Sequence, residues 1–371
     1  MYFKLVIICF ICIILFILYK KIKTVDNFNI NKYRRCDCIY EINELLEQVI
    51  IENKIDNLFI PCSYNNIHYE IEQMPKVKNG KYFVIENCDL IVAKELMWQI
   101  VVGYYGLPFA KTILPNTFVL NLKDDMKRFE KEYNSKNIYI LKKNMQRQKG
   151  LKITKSLDYI KHAMKDNYVI VQNLLQNPYT INKRKINMRF YALIICENNK
   201  INIYIYNDGF MYYTKKKFKK NKLDKDTNIT TGYIDRQVYI DNPLTHSDLK
   251  IYLDKYRKLT KSEIKIKNKT KDKLSDIFFN NITNTLYKLF IPFIDKICHG
   301  NYFNNFEQTT FQLFGIDVAI NKNYEPLIME INKGPDISGK DERDISIKLN
   351  LLRDIFNLIN KKEQNGFVKL I

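Results

Sequence analysis

The segment from Phe311 to Ile337, FQLFGIDVAINKNYEPLIMEINKGPDI, constrains this chain more than any other. Two runs of alternating apolar and polar residues flank the polar turn Asn321-Lys322-Asn323-Tyr324-Glu325, the pattern of a β-hairpin. On the first strand Ile316, Val318 and Ile320 point one way, and Asp317 and Ala319 the other. On the second, Leu327, Met329 and Ile331 are expected toward the core, with Ile328, Glu330 and Asn332 on the opposite face. If the turn sets Asp317 opposite Ile328, then Asp317, Glu330 and Asn332 converge. Two carboxylates and a side-chain carbonyl form a hard oxygen site suited to Mg²⁺ held partly by substrate phosphates. Alternation alone also describes any half-exposed sheet, so the residues by themselves leave both readings open.

The remaining periodicity mixes strands with flanking helices. Apolar spacing predicts helices within 41–60, which ends in a short apolar stretch, and over 92–102, 124–134, 275–298 and 346–361. Strands are expected at Tyr82–Ile91, Thr117–Leu120, Ile138–Leu141 and Tyr168–Gln172, and the clearest hairpin joins Ile186–Cys196 to Ile201–Tyr206. Two lysine-rich stretches, Lys215–Lys220 and 260–273, read as solvated surface, the second as an exposed loop. The fold class implied is α+β, not a doubly wound parallel sheet.

Residues Leu5 to Tyr19 form an uninterrupted apolar run followed by Lys20, Lys21 and Lys23. No small-residue cleavage site follows, so a single-pass membrane anchor is expected, with the basic flank and the body of the chain on the cytosolic side. Residues 24–38 then form a polar, basic linker. Eight cysteines accompany this reading; in a cytosolic body they are expected to be mostly free thiols. The net charge of +20 favours anionic partners, although lysine abundance also fits an AT-rich genome and a solvated surface. Nucleic acid is not the expected partner, because the lysine runs come with no aromatic platform or groove-reading motif.

Phe-x-Leu-Phe-Gly-x-Asp followed by Pro-Leu-Ile-Met-Glu-Ile-Asn-x-x-Pro resembles the C-terminal signature of the tubulin–tyrosine ligase-like enzymes, a branch of the ATP-grasp superfamily. The resemblance extends over roughly residues 110–340. It implies an ATP-grasp fold in which two α/β lobes clasp ATP, preceded by the N-terminal transmembrane helix. The implied division is an anchor at 1–23, a basic linker and small N-terminal region at 24–90, a central lobe at 91–175 and a C-terminal lobe at 176–371. It implies that Asp317, Glu330 and Asn332 hold Mg²⁺, with Asn332 also facing the nucleotide. Lys142 resembles the strand lysine on ATP phosphate, and Lys149 lies in what resembles the phosphate-covering loop. Gln172 and Leu175 fall on what resembles the hinge strand that holds adenine. Lys185-x-Asn187-x-Arg189 resembles a Lys-x-Asp-x-Arg strand. Lys185 and Arg189 would there neutralise phosphate or acyl-phosphate charge and, with Glu330, make up the catalytic set. Lys94 resembles an earlier family lysine.

The implied activity is ATP-dependent ligation of an amino acid to a protein acceptor, such as an acidic tubulin tail, through an acyl-phosphate. The departures are specific: Gln148 replaces a glycine, Asn187 an aspartate, Tyr212 an arginine, and Thr231 the asparagine of a Thr-Asn pair. Lys215 or Lys216 is the expected substitute for the missing arginine. These departures motivate an alternative, a catalytically inactive fold serving as a membrane-tethered binding protein.

Overall fold

Alternation along Arg184–Glu197 organises the molecule. In the computed structural model Ile186, Met188, Phe190, Ala192 and Ile194 join one hydrophobic cluster while Tyr191, Leu193 and Ile195 join a second. A strand with apolar residues on both faces belongs inside a covered sheet, not at its edge. The structure describes residues 33–35, 42–55, 57–62, 67–145, 150–197, 200–231, 237–255, 259–269, 272–299, 308–362 and 365–371. The expected anchor, Gln148 and Lys149 lie outside these residues. Among the described residues no helix is long and apolar enough to cross a membrane.

A four-stranded antiparallel sheet comprises β1 (Thr117–Val119), β2 (Tyr139–Lys142), β3 (Leu151–Thr154) and β4 (Ile170–Asn173), in the order β1-β4-β2-β3. The larger, 11-stranded sheet is built on β5 (Arg184–Glu197), which pairs antiparallel with β6 (Lys200–Tyr206), β7 (Phe210–Thr214) and β8 (Thr309–Ile320). Beyond β8 lies β9 (Pro326–Lys333). One face of this sheet is covered by α1 (Lys94–Tyr105) and α2 (Leu274–Phe290). The other is covered by α3 (Glu342–Ile359) and the helix Glu44–Asn53. Leu351, Leu352, Ile355 and Phe356 of α3 are fully buried, each contributing roughly 1.5–3 kcal/mol of apolar burial. The α+β expectation holds.

Three local expectations do not. Tyr82–Ile91 is not one strand: only Lys81–Tyr82 pairs, and Asp89–Val92 turns into a short helix. The stretch 260–273 is not wholly a loop, because Lys261–Lys267 is helical. Its start is a capping box in which Thr260 accepts from the Glu263 amide while the Glu263 carboxylate accepts from the Thr260 amide. Glu263 is buried and also accepts from the Tyr179 and Tyr324 hydroxyls at 3.0 and 2.9 Å. Lastly, Cys196 and Cys298 form a disulfide with Cα atoms 5.8 Å apart, where free thiols were expected. They are 102 residues apart in sequence, so no local pattern pairs them.

Candidate active site

A cavity of about 700 Å³ opens between the two sheets. Its chemistry centres on three neighbouring strands, where Arg189 of β5, Asp317 of β8 and Glu330 of β9 stand in one cross-strand row. The expected pairing of Asp317 with Ile328 is replaced by a direct pairing with Glu330, because a β-bulge follows Asp317 and sets Val318 against Ile328. A bulge gives one residue two opposing partners, so the alternation of β9 reverses at that point. Ile328 therefore joins Ile331 in the core, while Met329, Glu330 and Asn332 line the cavity. The three oxygen-bearing residues converge as expected, by a different register.

Arg189 grips Asp317 bidentately, Nε donating to Oδ1 at 2.6 Å and Nη2 to Oδ2 at 3.1 Å. Gly315 makes room for this pair. A Cβ there would lie 2.9 Å from the Pro335 Cβ and 3.0 Å from Arg189 Nη1. Burial lifts the Asp317 carboxyl to about 6 against the pull of Arg189, and the Glu330 charge adds to the rise. Burial also works against ionised Glu330, yet Lys94, Lys142 and Arg189 outweigh it and hold that carboxyl below its usual value. The Lys94 ammonium is 3.9 Å from Glu330, and Asn332 Nδ2 donates to Glu330 Oε1 at 3.4 Å.

Lys142 ends β2 and donates to the Met329 carbonyl at 3.3 Å. Lys185 sits on β5, four residues before Arg189. Burial depresses both ammonium groups to about 8, Glu330 partly opposing this at Lys142 and the Lys142 charge adding to it at Lys185. Among the described residues neither has a carboxylate at ion-pair distance. Two buried, unneutralised cations facing one cavity are costly unless an anion enters. The cavity is also lined by the apolar side chains of Ile140, Leu151, Leu174, Ile229 and Met329, the first four from one hydrophobic cluster. Asn187 and Asn228 each present a buried side-chain oxygen with no hydrogen-bond partner among the described residues. Excess positive charge, an apolar lining and orphan acceptors are what a nucleoside polyphosphate would use. Paired carboxylates on adjacent strands suit a hard divalent cation between its phosphates.

Lys142, Lys185, Arg189, Asp317, Glu330, Asn332 and Lys94 thus face one space. Gln172 does not line it; its amide donates to Thr117 Oγ1 at 2.7 Å and ties β4 to β1. At the hinge, Leu174 and not Leu175 lines the cavity. Lys215 and Lys216 do not reach it either, and Lys216 pairs outside with Asp224 and Asp226 at 3.6 and 3.2 Å. Tyr212 instead places its ring 5.2 Å from the Arg189 guanidinium carbon. Sequence reasoning missed four further lining residues, Asp336 and Lys340 just before α3 and Asp344 and Lys348 in its first turns. The Asp344/Lys348 spacing of four residues on a helix was the available signal.

Residues 73–365 match the tubulin-tyrosine ligase family model. The chain belongs to that family. It is 26% identical over 262 residues, 66% of this chain, to a probable beta-tubulin polyglutamylase of Tetrahymena thermophila, of which it covers 21%. It is 24% identical over 295 residues, 75% of this chain, to a tubulin polyglutamylase of Caenorhabditis briggsae, covering 45% of it. A tubulin glycylase of Drosophila melanogaster is 24% identical over 231 residues, 61% of this chain and 29% of that protein. The chain thus spans less than half the length of these relatives.

Proposed function

We propose that the chain is an ATP- and magnesium-dependent carboxylate–amine ligase that joins an amino acid to a protein acceptor. The observation that carries this is the pair of buried ammonium groups, Lys142 and Lys185, beside the Asp317–Glu330 row and, among the described residues, without a carboxylate at ion-pair distance. In this reading an acceptor carboxylate oxygen attacks the ATP γ-phosphorus and ADP leaves. A donor amine nitrogen then attacks the acyl carbon, phosphate leaves, and the amine proton passes to solvent or a carboxylate. Lys142 and Lys185 bind and orient the phosphates, and Arg189 keeps Asp317 ionised and fixed in place. Magnesium held by Asp317, Glu330 and Asn332 would neutralise charge on the transferred group. Relatives named as tubulin polyglutamylases and a tubulin glycylase make a tubulin tail the acceptor of choice. The apolar run at Leu5–Tyr19 supports tethering to a membrane.

Calorimetry on the full-length chain should show magnesium-dependent ATP binding that Asp317→Ala abolishes, and Glu330→Gln should remain folded without turnover. Full activity of Glu330→Gln would sink the metal assignment. Failure of the folded wild-type chain to bind Mg·ATP would favour the second reading, an inactive fold acting as a membrane-tethered binding protein. Asn187 and Tyr212 at the reacting centre motivate that alternative.

A further inference from the structure

Tyr212 lies in the middle of β7, directly across from Asn187 of β5, and both line the cavity. Cross-strand partners share a sheet face, so Tyr212 stands on the face that carries Arg189, two residues further along β5. Its ring is 5.2 Å from the Arg189 guanidinium carbon, a cation–π contact that holds the ring in place. A tyrosine walled into a protein interior normally ties its hydroxyl to a neighbour. This hydroxyl has no hydrogen-bond partner among the described residues, and Oδ1 of its cross-strand neighbour Asn187 is left without one as well. The charged and amide donors nearby are committed. Arg189 gives two hydrogen bonds to Asp317, Asn332 donates to Glu330, and Lys348 donates to Asp344 and to the Ser338 carbonyl. Burial, against the pull of Arg189 and with Asp317, Asp344 and Asp336 adding to it, holds the phenol up at about 12. Tyr212 therefore keeps its proton at neutral pH and donates it as a hydrogen bond without giving it up.

We propose that Tyr212 is a catalytic hydrogen-bond donor of the ligase, its hydroxyl binding the carbonyl oxygen of the acyl-phosphate as the amine attacks. The inference rests on the ligase reading above. As the amine nitrogen bonds to the acyl carbon, the π pair of the carbonyl moves onto its oxygen, which becomes an anion. The pair returns as the bond from the acyl carbon to the phosphate oxygen breaks. Phosphate leaves as HPO₄²⁻, taking up through solvent or a carboxylate the proton that nitrogen gives up. Tyr212 is unchanged at the end. It donates to the oxygen that gains charge, where one preorganised donor is worth about a hundredfold in rate. Lys142 and Lys185 remain for the phosphates, and with Tyr212 serving the anion Arg189 need not leave Asp317.

The test compares wild type with Tyr212→Phe as full-length chains, given Mg·ATP, purified tubulin and radiolabelled glutamate or glycine, whichever wild type incorporates. Tyr212→Phe keeps the ring beside Arg189 and removes one oxygen, so it should fold and bind Mg·ATP with unchanged affinity in calorimetry. In rapid-quench single turnovers the variant should form ADP at the wild-type rate and ligated product about a hundredfold more slowly. A product rate within about threefold of wild type refutes the assignment, being far short of what an oxyanion donor supplies. Equal slowing of ADP formation and ligation, or a loss of Mg·ATP affinity, also refutes it, because either would put Tyr212 at the nucleotide and not at the acyl oxygen. A wild-type chain that incorporates neither amino acid fails the ligase reading itself, and the assignment of Tyr212 falls with it.

Discussion

Replacing Lys185 by methionine should stabilise the ligand-free protein while weakening its hold on nucleotide. The Lys185 ammonium is buried without a carboxylate partner among the described residues, and burial together with the Lys142 charge lowers it from 10.5 to about 8. That gap corresponds to about 3 kcal/mol by which folding disfavours the charged form. The sign follows from linkage. The folded group binds its proton more weakly than the unfolded one, so unfolding takes up a proton between pH 8 and 10.5. Stability therefore carries the full cost below about pH 8 and recovers it as pH rises toward 10.5. Lys185→Met keeps most of the apolar stem and removes the charge. It should raise the unfolding free energy at pH 7 by about 2–3 kcal/mol, and the gain should vanish near pH 10.5. Urea denaturation at both pH values measures this, and calorimetry with Mg·ATP should show affinity at least tenfold lower. A Lys185→Met variant less stable than wild type at pH 7 without nucleotide would refute the reasoning.

Two further outcomes follow from the packing behind the site. Gly209→Ala places a Cβ 2.1 Å from the Arg189 carbonyl and 2.6 Å from His246 Cε1, so β5 must shift where it carries Arg189. The cost should be about 1–3 kcal/mol in urea denaturation, accompanied by weakened Mg·ATP binding; wild-type stability would contradict the close approach. His246 is fully buried against Phe190, and neither ring nitrogen has a hydrogen-bond partner among the described residues. Burial pushes its imidazole from 6.5 down to about 4, with Asp208 opposing and Lys250 reinforcing. A depressed folded value means stability is complete above about pH 6.5 and falls as pH drops toward 4, by about 3 kcal/mol in all. Subtracting the stability profile of His246→Met from that of wild type should isolate this limb, and parallel profiles would exclude it.

The sequence by itself determined the hairpin at Phe311–Ile337, the long hairpin from Ile186 to Tyr206 and the covering helix α3. Each is written in local periodicity, which backbone hydrogen bonding converts directly into structure. The resemblance of its motifs to the family's also marked Lys142, Lys185, Arg189, Asp317, Glu330 and Asn332, all of which line the cavity. The helix at Lys261–Lys267 was legible in the spacing of Thr260 and Glu263, though its lysines masked it. Only the tertiary structure decided the Asp317–Glu330 register, since a bulge depends on how neighbouring strands pair. It alone joined Cys196 to Cys298 and brought Lys348 and Asp344 of α3 to the cavity wall across from Tyr212. Contacts between residues far apart in the chain depend on how whole layers pack, and no short window of sequence carries that information.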